Sequence, residues 1–111
     1  TPKTIDGLIW KIVARKINKD NIDYLSVFLY CNNSDSGNFS RTVMSKFRLL
    51  TFYEKVKNLE RSVNHTFTEG AKNIGYPSFI AWRDLLDKTN GYVENDVVLV
   101  EIGMRVYSQV E

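Results

Sequence analysis

The 111 residues hold one cysteine, one histidine and two prolines, no marked excess of either charge, and no long apolar run. Each shortage excludes something. A lone Cys31 cannot form an internal disulfide, and it points to a reducing compartment, the nucleus and/or the cytoplasm. Three Asn-x-Ser/Thr triplets, at 32–34, 38–40 and 64–66, point the other way, towards secretion, although such triplets arise by chance in Asn- and Ser-rich sequence. No stretch approaches the roughly 18 apolar residues of a membrane span, so no membrane partner is expected. The start, TPKTIDGLIW, lacks the basic and apolar regions of a signal peptide. Fifteen basic against thirteen acidic residues leave a formal charge of +2, with the signs interleaved and no basic stripe, so no nucleic-acid partner is expected.

Catalytic and metal chemistry find little to build on. His65 beside Cys31 could serve as a thiol–imidazole pair. However, Cys31 closes an apolar strand, where a thiol behaves as a small hydrophobe, and no spacing motif links the two. One His and one Cys are too few for a closed zinc site. Asp84, Asp87 and Asp96 are dispersed, and the six glycines are scattered. No cofactor, metal or catalytic residue is expected.

What is present is apolar alternation with period two. In DYLSVFLYC, Leu25, Val27 and Leu29 share one face, and Tyr24, Ser26, Phe28 and Tyr30 share the other. In RTVMSKFRLLTFY, Val43, Phe47 and Leu49 oppose Lys46 and Arg48. In DVVLVEIGMRV, Val98, Val100, Ile102, Met104 and Val106 alternate with Leu99, Glu101, Gly103 and Arg105. SVNHTFTE is a shorter strand candidate, and LIWKIVARKI reads as strand through its β-branched content. NNSDSGN (32–38) has the composition of a hairpin tip. YEKVKNLERS (53–62) reads as a long hairpin end or one helical turn. Asn90-Gly91 and Glu94-Asn95-Asp96 are turn signals. Only PSFIAWRDLLD (77–87) reads as helix, with Pro77 in the first turn and an apolar stripe of Phe79, Trp82, Leu85 and Leu86. The expected fold is all-β, an antiparallel sandwich of seven to eight strands with one short helix, in a single domain over 1–111. With Leu25, Val27 and Leu29 inward, Tyr24, Phe28 and Tyr30 point away from the core. Either a second layer covers them or they floor a peptide groove.

WKI (10–12), VFLYCNNSDS (27–36), NHTFTEGAKNIGYPSFIAW (64–82) and LLDKTNGYVENDVVLVE (85–101) together resemble a MATH (meprin and TRAF homology) domain, across essentially the whole chain from Thr4. Both the deubiquitinase and the cullin-3 adaptor branches of that family are matched. The resemblance implies a TRAF-like sandwich of eight strands in a non-catalytic module. Such a module holds short linear peptide motifs of protein substrates, extended and Ser-containing, in a shallow groove by strand addition. The parent would be a ubiquitin-pathway protein and the fragment a monomer. A TRAF-like oligomerisation or scaffolding module is the alternative, although no heptads accompany it.

Carried over residue by residue, Phe28 matches the aromatic groove floor and Asn64 a polar position beside the peptide Ser. Asn73, Ile74, Gly75 and Tyr76 match the family's usual Asp, Trp, Gly and Phe, in what reads as a turn rimming the groove. Arg15 matches the groove arginine, with its register blurred by a shortened loop. Two departures change the chemistry. Asn73 replaces a charge-assisted hydrogen bond by a neutral one, about half as strong. Ile74 removes a Trp wall able to bury on the order of 150–250 Å². The family's opening F-x-W-x-I strand is missing from the sequence, which leaves a sheet edge expected to be open.

Overall fold

The computed structural model describes residues 3–5, 7–33 and 39–106. Eight strands and one helix follow in order: β1 (Lys3–Ile5), β2 (Leu8–Lys19), β3 (Ile22–Asn33), β4 (Ser40–Leu50), β5 (Leu59–Thr68), β6 (Asn73–Ala81), α1 (Trp82–Leu86), β7 (Val93–Glu94) and β8 (Val97–Val106). They form two antiparallel sheets, β1-β2-β3-β6 and β5-β4-β8-β7. The all-β sandwich with one short helix is therefore the architecture observed.

The alternation builds it. Leu25, Val27, Leu29 and Cys31 of β3 are buried, as are Val43, Phe47 and Leu49 of β4. The two sets face each other across the core with Trp10 and Phe67, whose rings meet edge-on at 5.2 Å. Two tight turns are formed by short polar residues rather than by glycine. Asp20-Asn21 (φ 52° and 65°) closes the β2–β3 hairpin, and Asn95-Asp96 (φ 52° and 61°) closes β7–β8. Positive φ at both central residues is the type I′ geometry that suits strand twist, and Asn and Asp tolerate it best among side-chain-bearing residues.

Three expectations are corrected. The helix covers only Trp82–Leu86, and Pro77 to Ala81 belong to β6. The spacing of three between Tyr76 and Phe79, which mimics a helical stripe, comes from a bulge. β3 advances one residue between its partners of Tyr76 and Ile80 (Val27 and Leu25), while β6 spends Pro77, Ser78 and Phe79. Pro77 cannot donate to a ladder and fits where pairing lapses. The bulge aims both rings at the core, Tyr76 at 5.2 Å from Phe47 and 5.7 Å from Phe79. In the helix Leu85 is buried, and Leu86 is 53% exposed. Second, Asn73 to Tyr76 are strand rather than turn. Third, β3 and β4 lie in different sheets, so the 32–38 segment does not link a hairpin pair. Its residues 34–38 lie outside the described residues.

Beyond Val98, the edge of β8 away from β4 has no strand partner among the described residues. A cavity of about 270 Å³ opens between the sheets there, lined by Trp10, Ile12, Leu29, Ile102 and Met104, with Ile12 44% exposed.

Candidate functional site

β6 ends its sheet, with β3 on one side and no described strand on the other. Register decides which of its side chains face where. Asn73 lies opposite Tyr30 and Gly75 opposite Phe28, while Ile74 lies opposite the buried Leu29 and Tyr76 opposite the buried Val27. Asn73 and Gly75 therefore share the outward face of Phe28 and Tyr30, and Ile74 and Tyr76 pack against the core. On the other side of β3, Val13 pairs with Phe28 and Arg15 with Ser26, so Arg15 stands on the same outward face. Asn64 belongs to the second sheet, on edge strand β5 opposite Met44.

The structure thus gathers Arg15, Phe28, Asn73 and Gly75 on one face. It places Ile74 and Tyr76 behind that face, and Asn64 on the outward face of the other sheet, on its edge strand β5. Tyr76 bridges the edges of β5 and β6 by donating its hydroxyl to the Ser62 carbonyl at 3.3 Å. Arg61 spans the same gap, over the rings of Tyr76 and Phe79 at 5.4 and 5.5 Å.

Gly75 is required by close approach, not by backbone angle, since it is not among the positive-φ glycines. A Cβ there would lie 2.2 Å from the Val27 carbonyl oxygen and 2.8 Å from Cδ1 of Phe28. The half-buried Phe28 ring thus lies against bare backbone, 6.4 Å from the Tyr30 ring. Beside this pair is a shallow depression of about 320 Å³, lined by Lys11, Val13, Arg15, Tyr30 and Asn32. Lys11 and Val13 were not singled out from sequence. Their signal was available, since Lys11, Arg15 and Lys19 recur on one face of a period-two strand, but Lys16 between them and Asp20 after them blur it in a linear reading.

His65 and Cys31 are occupied structurally. The His65 ring stands edge-on to Phe67 at 4.6 Å, with Nε2 3.2 Å from the Ala71 carbonyl oxygen. Cys31 is fully buried, and loss of water around the thiol pushes its pKa up to about 11, against which Arg41 acts weakly. Such a thiol is a poor nucleophile at neutral pH. Among the described residues no three His, Cys, Asp or Glu side chains gather as a metal-ligand group.

Comparison with known proteins identifies the family. The family model for the MATH domain matches residues 3–104. BTB and MATH domain-containing protein 38 of Caenorhabditis elegans is 30% identical over 100 residues, covering 86% of this chain and 25% of that protein. Ubiquitin carboxyl-terminal hydrolase 7 of Drosophila melanogaster is 29% identical over 103 residues, 91% of this chain and 9% of that protein. Ubiquitin C-terminal hydrolase 13 of Arabidopsis thaliana is 27% identical over 105 residues, 92% of this chain and 9% of that protein. The chain spans a quarter or less of each of these relatives.

Proposed function

The chain belongs to the MATH domain family, and from that premise we propose that it is a peptide-recognition module of a ubiquitin-pathway protein. Its occupant is a short extended segment of a protein substrate that contains Ser and crosses the outward face over Phe28 from the edge of β6. The observation that carries this reading is the pairing of a strand edge without a partner among the described residues with an outward aromatic floor, Phe28 over Gly75. Backbone hydrogen bonds to the edge would supply affinity, and the floor would select a small side chain beside the peptide Ser. The parent is a ubiquitin hydrolase or a BTB-containing adaptor, the classes named among the relatives, and it acts in the nucleus or cytoplasm. The module contributes recognition, not chemistry, and works as a monomer.

Fluorescence anisotropy with labelled Ser-containing peptides tests the reading. Saturable binding that Phe28→Ala weakens at least about tenfold, the cost of removing a packed aromatic anchor, supports it. Absence of binding above background for every peptide overturns it.

A further inference from the structure

The outward face of the β1-β2-β3-β6 sheet carries charge of a single sign. β2 presents Lys11, Val13, Arg15, Ile17 and Lys19 there, and the β3 residues opposite are Tyr30, Phe28, Ser26, Tyr24 and Ile22. β6 adds neutral Asn73 and Gly75. Among the described residues no carboxylate belongs to this face. The nearest acidic groups are engaged elsewhere or stand beyond the sheet. Asp23, half-exposed near the hairpin end, lies 3.6 Å from Lys16 and accepts a hydrogen bond from Asn18, while Asp20 sits in the hairpin turn. Lys11 and Arg15 are exposed, and neither has an ion-pair partner among the described residues. On the other sheet two carboxylates stand on the outward face, and Arg48 is held between them, Glu60 and Glu101, at 2.9 Å each.

We infer that the peptide bound on this face is acidic, and that Lys11 and Arg15 read two carboxylate side chains about four residues apart in an extended chain. This rests on the peptide-binding reading above. Positions four apart on one strand face are separated by roughly 13 Å of backbone, so a second extended chain presents side chains at matching intervals only with the same spacing. Both cations border the depression beside Tyr30 and Asn32, within side-chain reach of a strand crossing Phe28. The Arg15 guanidinium can take a carboxylate with two parallel hydrogen bonds, and the Lys11 ammonium acts as a point charge. Neutral Asn73 leaves nothing on the face to repel an anion. A single-signed face also draws an acidic segment in before contact, which raises its association rate.

The test uses three fluorescein-labelled ten-residue peptides on one Ala/Ser framework, carrying Glu, Gln or Lys at two positions four apart, with a single-stranded oligothymidylate as a fourth probe. The Glu peptide should bind about three- to tenfold tighter than the Gln peptide, the scale of two exposed ion pairs, and the Lys peptide more weakly than both. Raising the ionic strength should compress that ratio. The variant Lys11→Gln/Arg15→Gln, shown folded by its melting curve, should bring the Glu and Gln peptides to within about twofold of each other. Equal binding of Glu and Gln peptides by the native chain overturns the acidic preference and leaves peptide recognition standing. Tighter binding of the oligothymidylate than of the Glu peptide also overturns it. Failure of all peptides to bind removes peptide recognition itself, and this inference with it.

Discussion

The two outward faces of the sandwich solve the same problem in opposite ways. Each sheet has a strand glycine and a set of basic residues on its solvent side. On the β5-β4-β8-β7 face Arg48 is met by two carboxylates, while Lys46 and Arg105 have no ion pair among the described residues. Glu101 accepts a hydrogen bond from Arg48, Glu60 sits 2.9 Å from Nε but off the N–H axis, and Thr42 and Thr66 pair at 2.9 Å. Gly103 has open space around it. On the β1-β2-β3-β6 face the cations meet no carboxylates among the described residues, two aromatic rings are half-buried, and Gly75 is pinned beneath one of them. A face left cationic, aromatic and bordered by a free strand edge is suited to a partner.

The glycines give the sharpest way to break the comparison. Gly75→Val should cost about 3 kcal/mol in urea unfolding, because its Cβ would meet β3 backbone that cannot move without parting the strands. Gly103→Ala should be neutral or stabilise by up to about 1 kcal/mol, since strand glycine loses the most conformational freedom on folding. Equal effects would show that the two faces are not packed differently.

The shared interior comes next. Burial holds the Cys31 thiol at about 11 in the folded chain against an ordinary 9.0. The folded state therefore keeps the proton more tightly, and stability is full below pH 9 and declines as pH rises through about 11. The loss should be about 3 kcal/mol on completion, and Cys31→Ala should flatten that part of the slope in pH-dependent melts. A Cys31 thiol that reacts with a disulfide reagent at pH 8 as fast as free cysteine would contradict the closed interior.

Ile74→Trp should destabilise by about 1–2 kcal/mol, because the enlarged side chain enters the core beside Leu29. Improved peptide binding without a loss of melting temperature would instead place residue 74 at the site. Asn73→Asp, on the outward face, should leave stability unchanged within about 0.5 kcal/mol while weakening acidic peptides relative to neutral ones. Arg48→Ala should cost the least among the packed groups, about 0.5 kcal/mol, since its ion pairs are more than a third exposed.

Much of this fold was legible from residue order. Period-two alternation is imposed by strand geometry, so Leu25, Val27 and Leu29 had to face opposite to Phe28 and Tyr30, whatever lay above them. The helix misled because spacing reports which residues share a surface, not how the backbone brings them there. Phe79 at the end of a strand bulge and Trp82 at the start of the helix keep the interval of three that a continuous helical stripe would give. Four of the carried-over residues, Arg15, Phe28, Asn73 and Gly75, meet on one face. Ile74 and Tyr76 alternate away from it, as any neighbours of Asn73 and Gly75 in a paired strand must.

The sequence by itself determined the strand class, the inward and outward sets, the turn at Asn95-Asp96 and the resemblance to the MATH family, because all of these are local properties of side-chain type and period. Only the tertiary structure decided that Gly75 is needed for close approach, that Arg48 is neutralised by two distant carboxylates, and that Lys11 and Arg15 are not. Those outcomes depend on which strands become neighbours, and register across β2, β3 and β6 is set by the burial of the opposite face, not by anything written at the positions themselves.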